Sequence, residues 1–142
     1  MSLPQKSVLT QQLVLKMLEK AIEKAKELNI KISIAIVDDG GNLFGFLRMD
    51  GAKLLPSNIA QNKAYTAVGF GIPTGDWYGR IQDKPALLHG IVHTERMTIF
   101  SGGQPIYAGD DLLGGIGVSG GTQEQDNECA LAALSVLHTL KD

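Results

Sequence analysis

Cysteine is almost absent from this chain, which carries only Cys129 among its 142 residues. A lone cysteine excludes an internal disulfide and a cysteine-rich zinc site, and it is typical of proteins kept in a reducing compartment. Long hydrophobic runs are missing as well, because no stretch reaches the roughly 18 apolar residues of a membrane-spanning helix. Since Met1–Ser7 also lacks the apolar core of a signal peptide, we expect a cytoplasmic protein with no membrane partner.

Aromatic residues and positive charge are also scarce. Aromatic side chains make up 6% of the sequence, and 13 Lys and Arg residues stand against 15 Asp and Glu residues, for a net charge of -2. Nucleic-acid binding needs a basic surface, often with stacking aromatics, so this composition argues against a nucleic-acid partner. The hydrophobic content of 44% is ordinary for a globular protein, and the length predicts one domain spanning residues 1–142.

Periodic apolar residues predict three helices. Thr10 and Ser57 are the predicted N-caps of the first two helices. Thr122, with Gln125 three residues later, predicts a capping box for the third. Three segments have apolar residues at helical spacing: Leu13–Leu28, Ile59–Ala67 and Cys129–Leu140.

Strand patterns occupy the intervening sequence. Five segments have them: Ile30–Val37, Leu43–Met49, Met97–Phe100, Gln104–Ala108 and Asp111–Val118. From Gly69 to Gly90, glycines and prolines break any period and predict a loop with one helical turn near Trp77–Gln82. Consecutive strands joined by short turns, such as Gly109-Asp110, pair in antiparallel fashion. The sequence therefore predicts an α+β fold with a five-stranded antiparallel sheet and helices on its faces.

A glycine-rich motif precedes the last helix. Gly115–Gly120 matches G-x-G-x-x-G, but no parallel strand follows to complete a dinucleotide site. Gly117–Gly121 also matches a nucleophile elbow, yet Asp126 and His138 would lie roughly 18 Å apart on one helix, which excludes a triad. Two readings remain open for Ser119, Gly120, Gly121 and Thr122. They bind an anion at the helix N-terminus, or they only cap the helix.

His89 and His93 lie in the irregular region and are four residues apart. The glutamate of a zincin motif is missing between them, and no Pro-Cys-x-x-Cys follows His93-Thr94-Glu95 as in a zinc deaminase. Two alternatives remain. Either a neutral imidazole ligates a haem iron or another transition metal, or the histidines are structural. No catalytic residue is assigned.

Several segments, taken in their order and spacing, resemble the GlcG/HbpS-like family. The resemblance runs from about Ile34 to the last helix. It is carried by these segments: Ile36–Leu43, Arg48–Ala52, Ser57, Lys63-Ala64, Gly102–Ile106, Gly114–Gly121 and Gln125-Asp126. The family includes GlcG proteins, haem-binding HbpS proteins and the C-terminal domain of PduO-type cobalamin adenosyltransferases. The resemblance implies a profilin-like α/β/α fold and a homo-oligomer, and it is closest to forms that accompany diol or glycerol dehydratases.

Two functions follow as expectations. In the first, the protein binds a small-molecule ligand, namely haem or, as an alternative, a cobalamin-type corrinoid. His93 would be the axial metal ligand, His89 would assist, and Arg48 would pair with propionates, as would Lys53 or Lys63. The ring would lie near Met49 or Met97, against aromatic walls: Phe70, Trp77 and Tyr78.

In the second, an accessory enzyme of diol, glycerol or glycolate metabolism acts on a small hydroxy acid, aldehyde or corrinoid intermediate. Its anion site would be the 119–122 loop, and Asp38, Asp39 or Asp126 would be acid or base. The simpler roles of these carboxylates are turn formation for Asp38 and Asp39 and a favourable helix-dipole interaction for Asp126.

Overall fold

A computed structural model describes residues 1–140 and has the α+β class predicted from the sequence. The helices are α1 (Gln11–Glu27), α2 (Leu55–Phe70), α3 (Trp77–Ile81), α4 (Pro85–Gly90) and α5 (Gln123–Leu134). The strands are β1 (Ser33–Asp38), β2 (Leu43–Arg48), β3 (Gly103–Ala108) and β4 (Asp111–Ser119). Turns of 3-10 helix occupy Thr74–Asp76, Ile91–His93 and Ser135–Thr139.

The strands form one antiparallel sheet in the order β2-β1-β4-β3. β1 is central and pairs with both β2 and β4, so Ser33 lies opposite Arg48 on one side and Ser119 on the other. β3 and β4 are joined by the expected two-residue turn, in which Gly109 has φ of +59°. Glycine adopts this left-handed conformation without steric cost, which explains its place in the turn.

The predicted fifth strand, Met97–Phe100, is wrong, and the sheet has four strands. This segment packs against α2. Thr98 N–H donates to Thr66 Oγ1 at 3.0 Å, and the Thr66 hydroxyl donates to the Arg96 carbonyl at 2.9 Å. A helix side chain thus satisfies backbone groups that a neighbouring strand would otherwise satisfy. A short apolar run does not reveal from sequence which of these partners it has.

Helices cover both faces of the sheet. On β1, Ile34 and Ile36 join the larger core with α1 and α5, whereas Ala35 and Val37 join a smaller core with α2. This division follows from the two-residue period of a strand, which sends alternate side chains to opposite faces. The result is an α/β/α arrangement around a four-stranded sheet.

α2 approaches β4 closely because β4 presents glycines to it. A Cβ at Gly117 would lie 1.9 Å from the Ala60 carbonyl oxygen, and one at Gly115 would lie 2.4 Å from that of Ala64. Ala60 and Ala64 are themselves fully buried. Close packing of helix and strand therefore accounts for the glycines of the G-x-G-x-x-G motif.

Two of the three predicted N-cap residues are confirmed, and the third is wrong. Thr10 accepts a hydrogen bond from Leu13 N–H at the start of α1. Thr122 and Gln125 form the predicted capping box of α5. Ser57 does not cap α2, which begins two residues earlier at Leu55 without a side-chain cap. Ser57 Oγ instead lies 3.3 Å from Ser33 Oγ, so this serine joins the helix to β1.

A buried ion pair connects the helices on the two faces of the sheet. Lys63 of α2 is only 1% exposed, and its Nζ donates to Asp126 Oδ2 of α5 at 3.1 Å and to the Val118 carbonyl at 2.8 Å. The other carboxylate oxygen of Asp126 accepts from Gly121 N–H at 2.8 Å. Lys63 is therefore not a surface charge available to a ligand, contrary to the sequence-based expectation.

The surroundings of this pair are tight. Gly102 has φ of +123°, and a Cβ there would lie 2.7 Å from Lys63 Nζ and 2.6 Å from the Val118 carbonyl oxygen. The Phe100 ring centroid lies 5.1 Å from the same ammonium group. Burial lowers the pKa of Lys63 and raises the pKa of Asp126, while the opposite charge of each partner acts against both shifts.

The first prediction concerns the free energy of unfolding. Lys63→Met should reduce it by about 3–5 kcal/mol, because the substitution leaves the Asp126 carboxylate buried without its cation. Asp126→Asn should also destabilise, since the ammonium group then lacks its anion. The double variant should cost less than the sum of the two, and urea unfolding of all four proteins measures this coupling.

The exposed pair Lys20–Glu23 on α1 is the matched control. Lys20→Met and Glu23→Gln should each change the unfolding free energy by less than about 0.5 kcal/mol and should show little coupling. Additive effects of Lys63→Met and Asp126→Asn would contradict the assigned role of the buried pair.

The second prediction concerns Cys129, which is fully buried in α5. Burial raises the pKa of its thiol from 9.0 to about 12, and the charges of Asp126 and Glu128 act in the same direction. At about pH 8 iodoacetamide should not label the native protein, whereas it should label the unfolded chain fully. Mass spectrometry measures this difference, and rapid native labelling would show that the prediction is wrong.

The raised pKa of the Cys129 thiol also makes the free energy of unfolding depend on pH in the alkaline range. A raised pKa means that the folded state retains the proton longer than the unfolded chain does. The contribution of the protonated thiol is therefore complete below pH 9.0 and is lost as the pH rises toward about 12. Across this range, the unfolding free energy of the wild type should fall more steeply than that of Cys129→Ala.

Candidate functional site

The two predicted haem-ligating histidines lie on a surface segment. His89 belongs to α4, and His93 ends the 3-10 turn that follows it directly. Both imidazoles are exposed, and no residue of Pro85–His93 is buried. The segment continues from α3, which is held in the fold by the buried side chains of Trp77 and Ile81. It therefore presents both imidazoles to solvent from an anchored base.

The change from α-helix to 3-10 helix alters the relation between these histidines. Four residues separate them, but α4 ends at Gly90 and a tighter helix begins at Ile91. A 3-10 helix has three residues per turn, whereas residues four apart lie on one face only in a continuous α-helix. His89 and His93 are therefore not expected to lie on the same face.

Two of the three predicted aromatic walls lie in contact with each other. Phe70, at the end of α2, meets Trp77 edge to face, with ring centroids 4.7 Å apart and planes at 75°. Phe70 and the neighbouring Tyr78 are exposed, whereas Trp77 is buried. Within residues 1–140 the Trp77 indole N–H has no hydrogen-bond acceptor. α3, which carries Trp77 and Tyr78, is separated by only three residues from α4, which bears His89.

Two backbone N–H groups of the loop predicted to bind an anion already donate hydrogen bonds to side chains of α5. Gly121 N–H donates to Asp126 Oδ1 at 2.8 Å, and Thr122 N–H donates to Gln125 Oε1 at 3.0 Å. The Asp126 carboxylate thus lies where a ligand anion was expected. Such an anion would have to displace side chains of α5, one of them held in the buried ion pair.

The other carboxylates considered as acids or bases also have local partners. Asp38 Oδ1 accepts from the backbone N–H groups of Gly40 and Asn42, each at 2.9 Å, and so shapes the turn between β1 and β2. Asp39 forms an ion pair with Lys6, whose hydrogen bond and charge lower the pKa of Asp39. The Asp38 contacts match the turn-forming role that the sequence allowed, whereas Asp39 pairs with a lysine of the N-terminal segment.

Arg48 is one of the residues that line an open cavity of about 490 Å³, and neither His89 nor His93 lines it. Its lining combines apolar and basic side chains with one carboxylate: Ile22, Lys26, Lys31, Leu47, Arg48, Met49 and Asp50. Met49 thus lies beside Arg48, as adjacency in the sequence allows. Lys26 and Lys31 were not among the predicted site residues, since each looks like an ordinary surface lysine in the sequence.

Two further results limit the kinds of site available. Within residues 1–140 no three or more His, Cys, Asp and Glu side chains group together as a metal site would require. Haem iron differs from a free ion in this respect, because the macrocycle supplies four ligands and the protein adds one or two. In the same part of the chain, no helix has the length and apolar character needed to span a bilayer.

Comparison with known proteins gives consistent matches across most of the chain. Residues 9–135 match the sequence model of a family described as haem degrading protein HbpS-like. The chain is 38% identical over 128 residues to an uncharacterised 15.0 kDa protein of the dhaT-dhaS intergenic region of Citrobacter freundii, covering 88% of this chain and 89% of that protein.

Two other matches carry names that bear on ligands. Corrinoid adenosyltransferase PduO of Citrobacter freundii is 34% identical over 119 residues, which are 83% of this chain but only 36% of PduO. A crystal structure described as a PduOC:heme complex superimposes with a TM-score of 0.86 at 31% identity, covering 92% of this chain and 95% of that one. The extent and identity of these matches establish that the chain belongs to the HbpS-like family.

Proposed function

We propose that this protein is a small accessory protein that binds haem or a related tetrapyrrole, with His93 as the axial ligand. The observation that carries the proposal is the pair of exposed imidazoles on an anchored surface segment beside an aromatic cluster. The haem named in the PduOC complex and the family description support it.

The residues of this segment have the chemistry that haem requires. A neutral imidazole nitrogen is a common axial ligand of haem iron, and the macrocycle needs apolar surface around it. Exposed apolar side chains on or near the segment supply such surface: Phe70, Tyr78, Leu87 and Val92. Bound haem would supply an iron centre, while the polypeptide would orient it and control access to it.

His93 is preferred to His89 as the iron ligand. Thr94 and Glu95 directly follow His93 and offer a hydroxyl and a carboxylate. A hydrogen bond from the second imidazole nitrogen to either group would fix the tautomer of the ring. His89 is followed directly by Gly90, which offers no side chain for this purpose. We therefore assign a secondary role to His89.

The third prediction tests this assignment with haemin. Titration of the wild type should produce a shifted Soret band, which His93→Ala should abolish and His89→Ala should weaken in part. Both variants should remain folded, because both imidazoles are exposed. His138→Ala is the matched control, since His138 lies in the separate Ser135–Thr139 turn and should leave the spectrum unchanged.

Two results of that titration would contradict the proposal. One is a wild type that binds no tetrapyrrole, and the other is a wild-type spectrum from both His93→Ala and His89→Ala. A parallel titration with hydroxocobalamin tests the corrinoid alternative, which the PduO relative supports. Preferential binding of the corrinoid through the same imidazole would assign the ligand to that class.

We also propose that the protein is a homo-oligomer. The side chains of Phe44 and Phe46 lie on the same face of the edge strand β2, and both are exposed. Leu54 and Leu55, at the start of α2, are 74% and 72% exposed. Apolar surface of this kind is the sort that a second copy of the chain would cover.

The fourth prediction is a solution mass above the 15.2 kDa of one chain, measured by light scattering at micromolar concentration. Phe46→Glu should lower the mass, because a charge on the apolar face of β2 would be buried without a partner. Glu19→Gln, on the exposed face of α1, should not change it. A mass of one chain that is independent of concentration would contradict the proposal.

A further inference from the structure

A haem held by His93 needs cationic partners for its propionate groups, and the cations expected from the sequence are poor candidates. Lys63 is buried in the ion pair with Asp126. Arg48 and Lys53 line cavities to which no histidine contributes. Propionates lie at the edge of the macrocycle, and arginine matches the geometry of a carboxylate best. An arginine in the neighbourhood of the imidazole would therefore complete the site.

Arg96 follows His93 by three residues and belongs to a tight turn. Met97 N–H donates to the Thr94 carbonyl at 3.0 Å, which closes the turn and places Arg96 at its third position. Glu95, the second residue of this turn, forms no salt bridge with Arg96 within residues 1–140. Three residues of chain span at most roughly 10–11 Å. Arg96 and the proposed iron ligand therefore belong to one local region of the protein.

The backbone of Arg96 is held in an unfavourable conformation. Its φ is +65°, in the left-handed region that glycine or asparagine usually supplies at this position of a turn. The hydroxyl of the buried Thr66 donates to the Arg96 carbonyl at 2.9 Å and accepts from Thr98 N–H at 3.0 Å, which ties the turn to α2. Such strain persists only where the surrounding structure fixes the residue, and it is concentrated at binding sites. An arginine at a position suited to glycine points to a use for its side chain.

The side chain of Arg96 also has a fixed orientation. Its guanidinium carbon lies 3.9 Å from the centroid of the Tyr65 ring, so the planar group stacks on the aromatic face. Tyr65 is itself confined, since a Cβ at Gly41 in the β1–β2 turn would lie 2.8 Å from its Cε2 atom. Stacking uses the flat face of a guanidinium group and leaves the N–H donors at its edge available. Among the described residues, no acid forms a salt bridge with these donors.

We propose that Arg96 binds a propionate carboxylate of the tetrapyrrole held by His93, an inference that rests on the haem function proposed above. The edge of the guanidinium group offers parallel donors that match the oxygens of one carboxylate. Tyr65 is a positioning residue, because it fixes the plane of this group. Cobalamin carries amides in place of free carboxylates, so Arg96 favours haem over the corrinoid.

Titration of the full chain with haemin and with haemin dimethyl ester tests the role of Arg96. The ester keeps the iron and the ring but lacks free carboxylates, and the Soret band reports the affinity of each in a buffer that keeps both monomeric. The wild type should bind haemin at least about tenfold more tightly, as expected for a charged hydrogen-bonded pair. Arg96→Gln should weaken haemin about tenfold and leave the ester unchanged. Its Soret position should stay that of the wild type, because His93 still ligates the iron.

Two further variants separate binding from folding. Arg96→Gly should not lower the urea midpoint of unfolding, since glycine adopts a positive φ without steric cost, yet it should lose the preference for haemin. Tyr65→Leu should weaken haemin but not the ester, because the guanidinium group loses its stacking partner.

Arg80→Gln is the matched control. Arg80 is an exposed arginine of α3 and forms no salt bridge in the part of the chain that the structure describes. Its side chain has no aromatic ring to fix it there, in contrast to Arg96. The substitution should therefore leave the affinities for both probes unchanged.

Equal affinity of the wild type for the two probes would overturn the role of Arg96, as would equal weakening of both by Arg96→Gln. A haemin preference lost in Arg80→Gln but kept in Arg96→Gln would also overturn it. In each of these cases a Soret shift that His93→Ala abolishes would still support haem binding, so the two proposals fail separately. A wild type that binds neither probe contradicts both.

Discussion

The ion pair between Lys63 and Asp126 joins the two helical layers of the protein, and the loops around it depend on its geometry. Its ammonium group holds the end of β4 through the Val118 carbonyl, and its carboxylate holds the Gly121 N–H at the start of α5. Removing two charges from water is costly, and the cost is recovered only when each finds its partners. This requirement fixes α2, β4 and α5 relative to one another at one end of the sheet.

The position of the pair also determines which parts of the molecule remain free to bind. The pair includes the Asp126 carboxylate, which the sequence suggested as an acid or base. This carboxylate also accepts a hydrogen bond from Gly121 N–H, which the sequence suggested as an anion donor. The 119–122 loop is therefore part of the packing at the end of the sheet. Exposed groups without such partners lie elsewhere, on the Pro85–His93 segment and around Arg48. The proposed haem site lies in the first of these two regions.

Local sequence signals predicted local structure well in this chain. The capping box at Thr122 and the two-residue turn at Gly109 each depend on residues next to one another, and both were recovered. The α+β class also followed from the order of helix and strand patterns. The family was recognised from short segments whose order along the chain is specific even though each is weak alone.

Predictions failed where the outcome depends on residues far apart in sequence. Met97–Phe100 has an apolar strand-like pattern, but its partner is Thr66 on α2 rather than another strand. Lys63 looks like a solvated helix residue, and only the fold reveals that Asp126 lies beside it. Lys26 and Lys31 reach the Arg48 cavity from α1 and from the approach to β1, a convergence that spacing along the chain does not indicate.

The two outer strands of the sheet differ in a way that limits how copies of the chain can add to one another. β3, at one edge, has Pro105 in its middle, and proline has no N–H to offer an incoming strand. β2, at the other edge, has no proline and carries the exposed Phe44 and Phe46. Continuous polymerisation by strand addition requires that both edge strands of each copy can pair with a strand of another copy. With Pro105 obstructing one edge, strand addition between copies would end once two β2 strands had paired, and it would not continue into a fibre.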